Sequence, residues 1–205
     1  RLGDLSFYVE EFNHNNQTIL LIERANSGGI SNSLKKYYLK NDSLVLIDVR
    51  NELANDDGTV FKDMRIFMRN NTAFRLTQRT ASSLSAIKTL PYIETSLTQS
   101  NSSSKNYLEN ISTLKDVIAA NNQFDVVFES ITTYPDSRYI ILKSKLPNSY
   151  TATVLVNQKD ALIDSLLNDP LSFKDEKLRF SWIVKNQEAI YVPVGNNTSA
   201  SGLNK

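Results

Sequence analysis

The sequence predicts a mainly β, α+β chain. An N-terminal antiparallel β-meander occupies 1–80, a helical connection 81–122, and a C-terminal five-stranded β module with one helix 123–194. Three observations predict it. Short runs of alternating apolar and polar residues fill the first 80 positions and recur after 123, the period of half-buried strands. Asn-Asn and Asn-Asp pairs punctuate the first set, and such pairs tolerate the positive φ of two-residue hairpin turns. Between the sets the period lengthens: Tyr107, Leu108, Ile111, Leu114, Val117 and Ile118 recur at helical spacing.

The elements follow in order. Leu5–Phe12, Thr18–Ala25, Leu34–Lys40, Ser43–Arg50, Val60–Arg69 and Thr72–Thr80 read as strands. The turns between them are His14-Asn-Asn16, Asn26-Ser-Gly-Gly29, Asn41-Asp42, Asn55-Asp-Asp-Gly58 and Asn70-Asn71. Ser83–Leu90 predicts a short helix that Pro91 ends. The polar, serine-rich run Thr98–Asn106 reads as a loop or linker. A longer helix follows, with Ser104 as its expected N-cap and Asn121-Asn122 as its stop. Strands return at Phe124–Thr132, Arg138–Lys145 and Tyr150–Val156. A helix over Asp160–Leu167 comes next, with Asn157 as its expected N-cap. Leu178–Val184 and Ala189–Val194 are the last two strands. The small, polar residues 195–205 read as a disordered tail.

A repeat runs through the first module. Tyr37-Tyr-Leu-Lys-Asn-Asp-Ser43 lies over Ile66-Phe-Met-Arg-Asn-Asn-Thr72, 29 residues on. Each copy is a strand, a two-residue turn and the start of a returning strand. Strict alternation places Tyr37, Leu39, Val45, Ile47 and Val49 on one face, with Ile66, Met68, Phe74 and Leu76 as counterparts. That face is the expected core, and Leu44 and Leu46 fall opposite. Opposite also fall Lys36, Tyr38, Lys40, Arg50, Arg65, Phe67, Arg69, Arg75 and Arg79. In the C-terminal module the same rule points Phe180, Trp182 and Val184 at the core.

Composition excludes several chemistries. There is no cysteine, so disulfides, thiolate metal sites and cysteine nucleophiles are out. The net charge of +1 gives the whole chain no electrostatic preference for a partner. Apolar runs such as Ile19–Ile22 and Leu44–Ile47 are far shorter than a bilayer-spanning helix. The chain opens on Arg1 rather than methionine, which leads to the expectation of either a processed chain, from which a leader or lipid anchor could have been removed, or an expressed fragment.

Candidate chemistry is sparse. His14, the single histidine, sits in a turn sequence and has no evident triad partners. Asn55-Asp-Asp-Gly58 lacks the spaced acidic ligands of a calcium loop and reads as a hairpin turn. Asp160 and Asp164 share a helix face, but a helix N-terminus already explains Asp160. Gly28-Gly29 has no phosphate-loop spacing. No metal and no cofactor is expected. The candidate ligand-binding set is Lys36, Tyr38, Lys40, Arg65, Phe67, Arg69, Arg75 and Arg79, because cations interleaved with aromatics suit phosphates, stacked bases or acidic sugars.

Two resemblances add expectations. The order strand, strand, strand, helix, strand, strand over 123–194 resembles an OB-fold, a five-stranded Greek-key barrel, and other α+β domains share that order. Lys36-Tyr-Tyr-Leu-Lys-Asn-Asp-Ser-Leu-Val-Leu46 and Arg65-Ile-Phe-Met-Arg-Asn-Asn-Thr72 resemble the hairpins of secreted or periplasmic lipoproteins of Bacteroidetes-type bacteria. That likeness implies an extracytoplasmic setting, at the periplasm or cell surface, with any lipid anchor outside this chain. The leading expectation is a non-enzymatic binding or interaction module whose partner is a protein or a polyanion. A polyanion or nucleic-acid binder, using the basic face or an OB-like barrel, is the alternative. A carboxylate-based hydrolase is the other.

Overall fold

The computed structural model describes residues 1–97, 104–147, 149–186 and 188–194, and the chain divides into two compact units, Arg1–Asn121 and Asn122–Lys205. In the first unit, strands β1 (Leu5–His14), β2 (Gln17–Ser27), β3 (Ser31–Lys40), β4 (Ser43–Asn55), β5 (Gly58–Arg69), β6 (Thr72–Ala81) and β7 (Ile93–Thr95) form one sheet in sequence order. Every neighbour pair is antiparallel. The short β7 has no counterpart in the sequence reading. With three residues it is too brief for alternation to register.

The hairpins β1–β2, β3–β4 and β5–β6 share one construction. Their turns are Asn15-Asn16, Asn41-Asp42 and Asn70-Asn71, and all six residues have φ between 49° and 60°. Positive φ at both central positions defines the type I′ turn, whose twist matches the flanking strands. The pairing register then slips by one residue just inside each turn, between Phe12 and Asn13, Tyr38 and Leu39, and Phe67 and Met68. Each slip is a β-bulge on the returning strand, centred on Ile19, Val45 and Phe74.

These bulges correct the face assignment. Val45 and Phe74, expected in the core, are 37% and 50% exposed. Leu44, expected on the opposite face, is buried, as is Ala73. One extra residue inverts the alternation between the turn and the bulge, so parity counted across it is wrong only there. Beyond the bulges Tyr37, Leu39, Ile47, Val49, Ile66, Met68 and Leu76 are buried as expected.

The segment read as a connection belongs to the first unit. Helix α1 (Leu84–Thr89) is N-capped by Ser83, whose hydroxyl accepts from the Ala86 N–H, and it buries Ile87. Helix α2 (Ser104–Ala119) already includes Ser104, the residue expected to cap it. It lays Tyr107, Ile111 and Leu114 against the sheet core, an i, i+4, i+7 stripe. Beneath it the buried Tyr37 donates to Glu23, which Lys35 also holds. Residues 98–103 of the serine-rich run and the tail 195–205 lie outside the described residues.

In the second unit the sheet order is β11-β12-β10-β9-β8, from β8 (Val126–Thr133), β9 (Arg138–Ser144), β10 (Thr151–Leu155), β11 (Ser181–Lys185) and β12 (Glu188–Val192). Helix α3 (Ala161–Asn168) carries the chain from β10 towards β11, and β10 pairs parallel with β12. This is the Greek-key order of an OB barrel. The sheet is open, because β11 pairs with β12 and not with β8. Ahead of β11, Asp175 and Glu176 make two backbone hydrogen bonds with Phe128 of β8. The core is Phe128, Ile140, Leu142, Val154, Val156, Ile163, Leu166 and Tyr191.

Two local expectations are corrected here. The N-cap of α3 is Asp160, not Asn157: its carboxylate accepts from the Ile163 N–H at 3.1 Å. It also accepts from the Tyr191 hydroxyl at 2.6 Å and the Val194 N–H at 2.9 Å, fastening the end of β12 to the helix. Trp182 and Val184 lie on the same sheet face as the buried Tyr191, but β11 is an edge strand and both are more than half exposed. Phe180 is half-buried and packs 5.5 Å from the Tyr191 ring. Parity gives the face, but burial also needs a covering layer, which ends before the edge.

Candidate functional site

The register brings all eight sequence-predicted site residues onto one side of the first sheet. Tyr37, Ile47 and Ile66 define the core face, so Lys36, Tyr38 and Lys40 on β3, and Arg65, Phe67 and Arg69 on β5, face the other way. Arg75 pairs with Phe67 and Arg79 with Asp63, which puts both on that outer face. The charged and apolar residues then separate into two zones.

The zone away from the turns is a closed ion cluster. Asp63 is 1% exposed. One of its carboxylate oxygens accepts from Arg50 Nε at 3.0 Å, the other from Arg79 Nε and Nη2 at 3.0 and 2.8 Å. Arg79 also donates to the Leu90 carbonyl just past α1. The Tyr92 ring lies between the guanidinium groups of Arg65 and Arg79, at 4.2 and 4.4 Å. Burial pushes the Tyr92 hydroxyl above its ordinary pKa; Asp63 and Asp48 add to the rise, while Arg65 and Arg79 oppose it. Arg65 further approaches Asp48 at 3.8 Å. Arg79 is therefore a structural pin with its donors committed, and Arg65 is largely committed too.

The zone beside the turns is open. One cross-strand row runs Phe12, Leu20, Tyr38, Leu46, Phe67, Arg75 over six strands, spanning about 24 Å at the usual strand spacing. The bulged residues lie beside it. Phe74 contacts the Phe67 ring at 6.4 Å, which fixes it to this face, and Ile19 and Val45 hold the same position in the other hairpins. Phe12, Ile19, Val45 and Phe74 are all 37–50% exposed. Arg69 lies 4.8 Å over Phe74 and Arg75 5.7 Å over Phe67. A guanidinium stacked on a ring keeps its in-plane N–H groups available to an anion. Arg75 pairs with Glu94 on the exposed rim. Lys36, Lys40 and Arg69 make no ion pair among the described residues.

No family model, curated protein or solved structure matches this chain.

The first sheet contains a unit repeated three times, not twice. Phe12-Asn-His-Asn-Asn-Gln-Thr-Ile19, Tyr38-Leu-Lys-Asn-Asp-Ser-Leu-Val45 and Phe67-Met-Arg-Asn-Asn-Thr-Ala-Phe74 each supply an outer-face aromatic, a basic or imidazole side chain, a type I′ turn and a bulged apolar residue. The first copy, with Phe12 and Ile19, escapes the sequence reading because it carries histidine where the others carry lysine or arginine. The Asn-Asn pair beginning three residues after an aromatic was the available signal.

The other candidates have structural roles or none. His14 ends β1 and is exposed. Asn55–Gly58 is a hairpin turn in which the Asn55 side chain accepts from the Asp57 N–H. Asp164 is exposed, whereas Asp160 is consumed by its cap and by Tyr191. Burial raises the Asp160 pKa, but hydrogen bonds from Tyr191, Ile163 and Val194 outweigh it and hold the carboxyl below its ordinary range. No group of three or more histidine, aspartate or glutamate side chains placed to hold a metal occurs among the described residues, and no described helix is long and apolar enough to cross a membrane.

Proposed function

We propose that this chain is a non-enzymatic binding module that works outside the cytoplasm, and that the turn-side zone of its first sheet receives an anionic partner. The observation carrying this reading is the division of the outer face. Arg50 and Arg79 are spent on Asp63, while Lys36, Lys40 and Arg69 make no ion pair among the described residues and Arg69 lies over the exposed Phe74 ring. Unpaired cations at a surface attract polyanions through counterion release, and stacked guanidinium groups add directed donors. The extracytoplasmic setting rests on the hairpin likeness alone.

The test is retention of the full chain on immobilised heparin against a salt gradient. The parent elutes at the highest salt. Lys40→Ala with Arg69→Ala elutes earlier with an unchanged circular dichroism spectrum, since exposed cations contribute little to stability. A parent that passes straight through at low salt refutes the reading.

A further inference from the structure

We infer that the partner of this face is an anionic lipid surface, an inference that rests on the anionic-partner reading above and narrows it. A water-soluble polyanion would satisfy Lys36, Lys40 and Arg69 and leave Phe12, Ile19, Val45 and Phe74 in water. Those four side chains are 37–50% exposed in a folded protein, Phe12 in the cross-strand row and the other three beside it. The bulges put three of them there. Strict alternation back from Ile47 and Leu76 would turn Val45 and Phe74 to the core, and the extra residue is what lets both strands bury those two residues while Val45 and Phe74 face out. Bulges are devices that re-aim side chains, and here the same device occurs in three hairpins at the same end of the sheet. A surface that presents apolar side chains and cations together, along about 24 Å, matches a phase that is apolar below and anionic above.

The stereochemistry agrees with shallow docking. Lys40 and Arg69 are the residues immediately before their turns, so they stand at the sheet's end, outside the apolar row. Tyr38 and Phe67 lie two positions further in, on the same face. Aromatic rings favour the headgroup level of a bilayer, and basic side chains reach its phosphates while their stems lie along apolar surface. Arg69 over Phe74 and Arg75 over Phe67 pre-form two such cation–ring units. The depth implied is that of an interfacial contact and not of a span.

The experiment is vesicle flotation with the full chain, using phosphatidylcholine vesicles and vesicles of phosphatidylcholine mixed with phosphatidylglycerol. Free glycerophosphate and heparin serve as soluble competitors. The chain is expected to float with the mixed vesicles and not with phosphatidylcholine alone, and high salt should release it. Ile19→Ser with Val45→Ser should weaken vesicle binding by roughly tenfold or more, since interfacial binding scales with buried apolar area, and should leave heparin retention unchanged, since neither side chain carries a stacked cation. Val45→Ser alone gives a smaller loss of the same kind and serves where the double variant does not fold. Glycerophosphate should not displace the vesicles. Heparin retention without flotation overturns the lipid assignment and leaves the anionic-partner reading standing. Failure of both overturns both. Flotation of the double variant as well as the parent, or displacement by glycerophosphate, overturns the role given to the apolar row.

Discussion

Arg79 was expected to meet a ligand and instead closes a buried ion cluster, and Arg79→Ala separates the two roles. The substitution removes both charge-assisted hydrogen bonds to one Asp63 oxygen, at 3.0 and 2.8 Å, one of the two cations stacked on Tyr92, and the donor to the Leu90 carbonyl. Breaking a buried ion pair from one side costs about 3–5 kcal/mol, because the remaining charge is left desolvated. Arg50 still holds the other Asp63 oxygen and is itself half exposed, which places the cost at the lower end, about 3 kcal/mol. The lost stacking adds about 0.5–1 kcal/mol. The assay is urea unfolding followed in parallel by far-ultraviolet circular dichroism and by Trp182 fluorescence. Trp182 lies in the second unit, so its transition should stay in place while that of the first unit moves down by about 1–3 M urea, given slopes of about 1–3 kcal/mol/M. Arg79→Lys should fall between, since an ammonium cannot fork across a carboxylate and a carbonyl. Arg69→Ala, on the exposed rim, should stay within about 0.5 kcal/mol of the parent. Equal midpoints for Arg79→Ala and Arg69→Ala would refute the cluster as a source of stability.

Two titrations give further checks. Asp160 has a lowered pKa in the folded chain, so its stabilisation is complete above the unfolded value of about 4 and is lost as pH falls through the folded one. Asp160→Ala should therefore cost the second unit about 1–2 kcal/mol at neutral pH and much less in strong acid, read from Trp182 fluorescence. Tyr37 shows the opposite sign. Burial, then the neighbouring Glu23, raises its pKa, so its contribution is complete below the unfolded value of about 10 and is lost as pH climbs beyond that. Tyr37→Phe should lower first-unit stability by about 1–2 kcal/mol at neutral pH and should leave the native-state phenolate absorbance between pH about 9 and 11 unchanged, since Tyr37 does not ionise there while folded.

The sequence was most legible where local chemistry and periodicity agree. Asn-Asn and Asn-Asp turns marked three hairpins and fixed strand limits to within a few residues, because a type I′ turn leaves little freedom in where pairing starts. The α2 stripe was legible for the same reason, with Tyr107, Ile111 and Leu114 meeting the sheet. What failed depended on neighbours far along the chain. The alternation of Trp182 gave its face correctly, but the exposure of β11 follows from its place at the sheet edge, which only the parallel β10–β12 pairing decides. In the candidate site, parity gathered the eight residues onto one face. It could not tell that Asp63, 13 residues from Arg50 and 16 from Arg79, would claim those two guanidinium groups.

The bulges explain both the error in the core and the form of the site. A strand that alternates faithfully back from Ile47 or Leu76 would bury Val45 and Phe74 and expose Leu44 and Ala73, and the hydrophobic pattern alone does not object: Leu44-Val45-Leu46 is apolar at every position. Such a run satisfies the core in either phase, so the register is set by the turn and not by the side chains. In these hairpins the inserted residue keeps the smaller or more deeply packed side chain inside, Leu44 and Ala73, and turns the next one out. An apolar side chain left 37–50% exposed forgoes a large part of the gain from burial, and three equivalent ones forgo it three times. Sequence economy would put a polar residue at each bulge, as Ser43 and Thr72 occupy the positions beside the turns. Isoleucine, valine and phenylalanine at the three bulges thus make sense as contact residues. The cations before the turns then set the charge of what they touch. On this argument the apolar row and the basic rim are one surface, and a substitution that makes the bulges polar should remove its partner without loosening the sheet beneath.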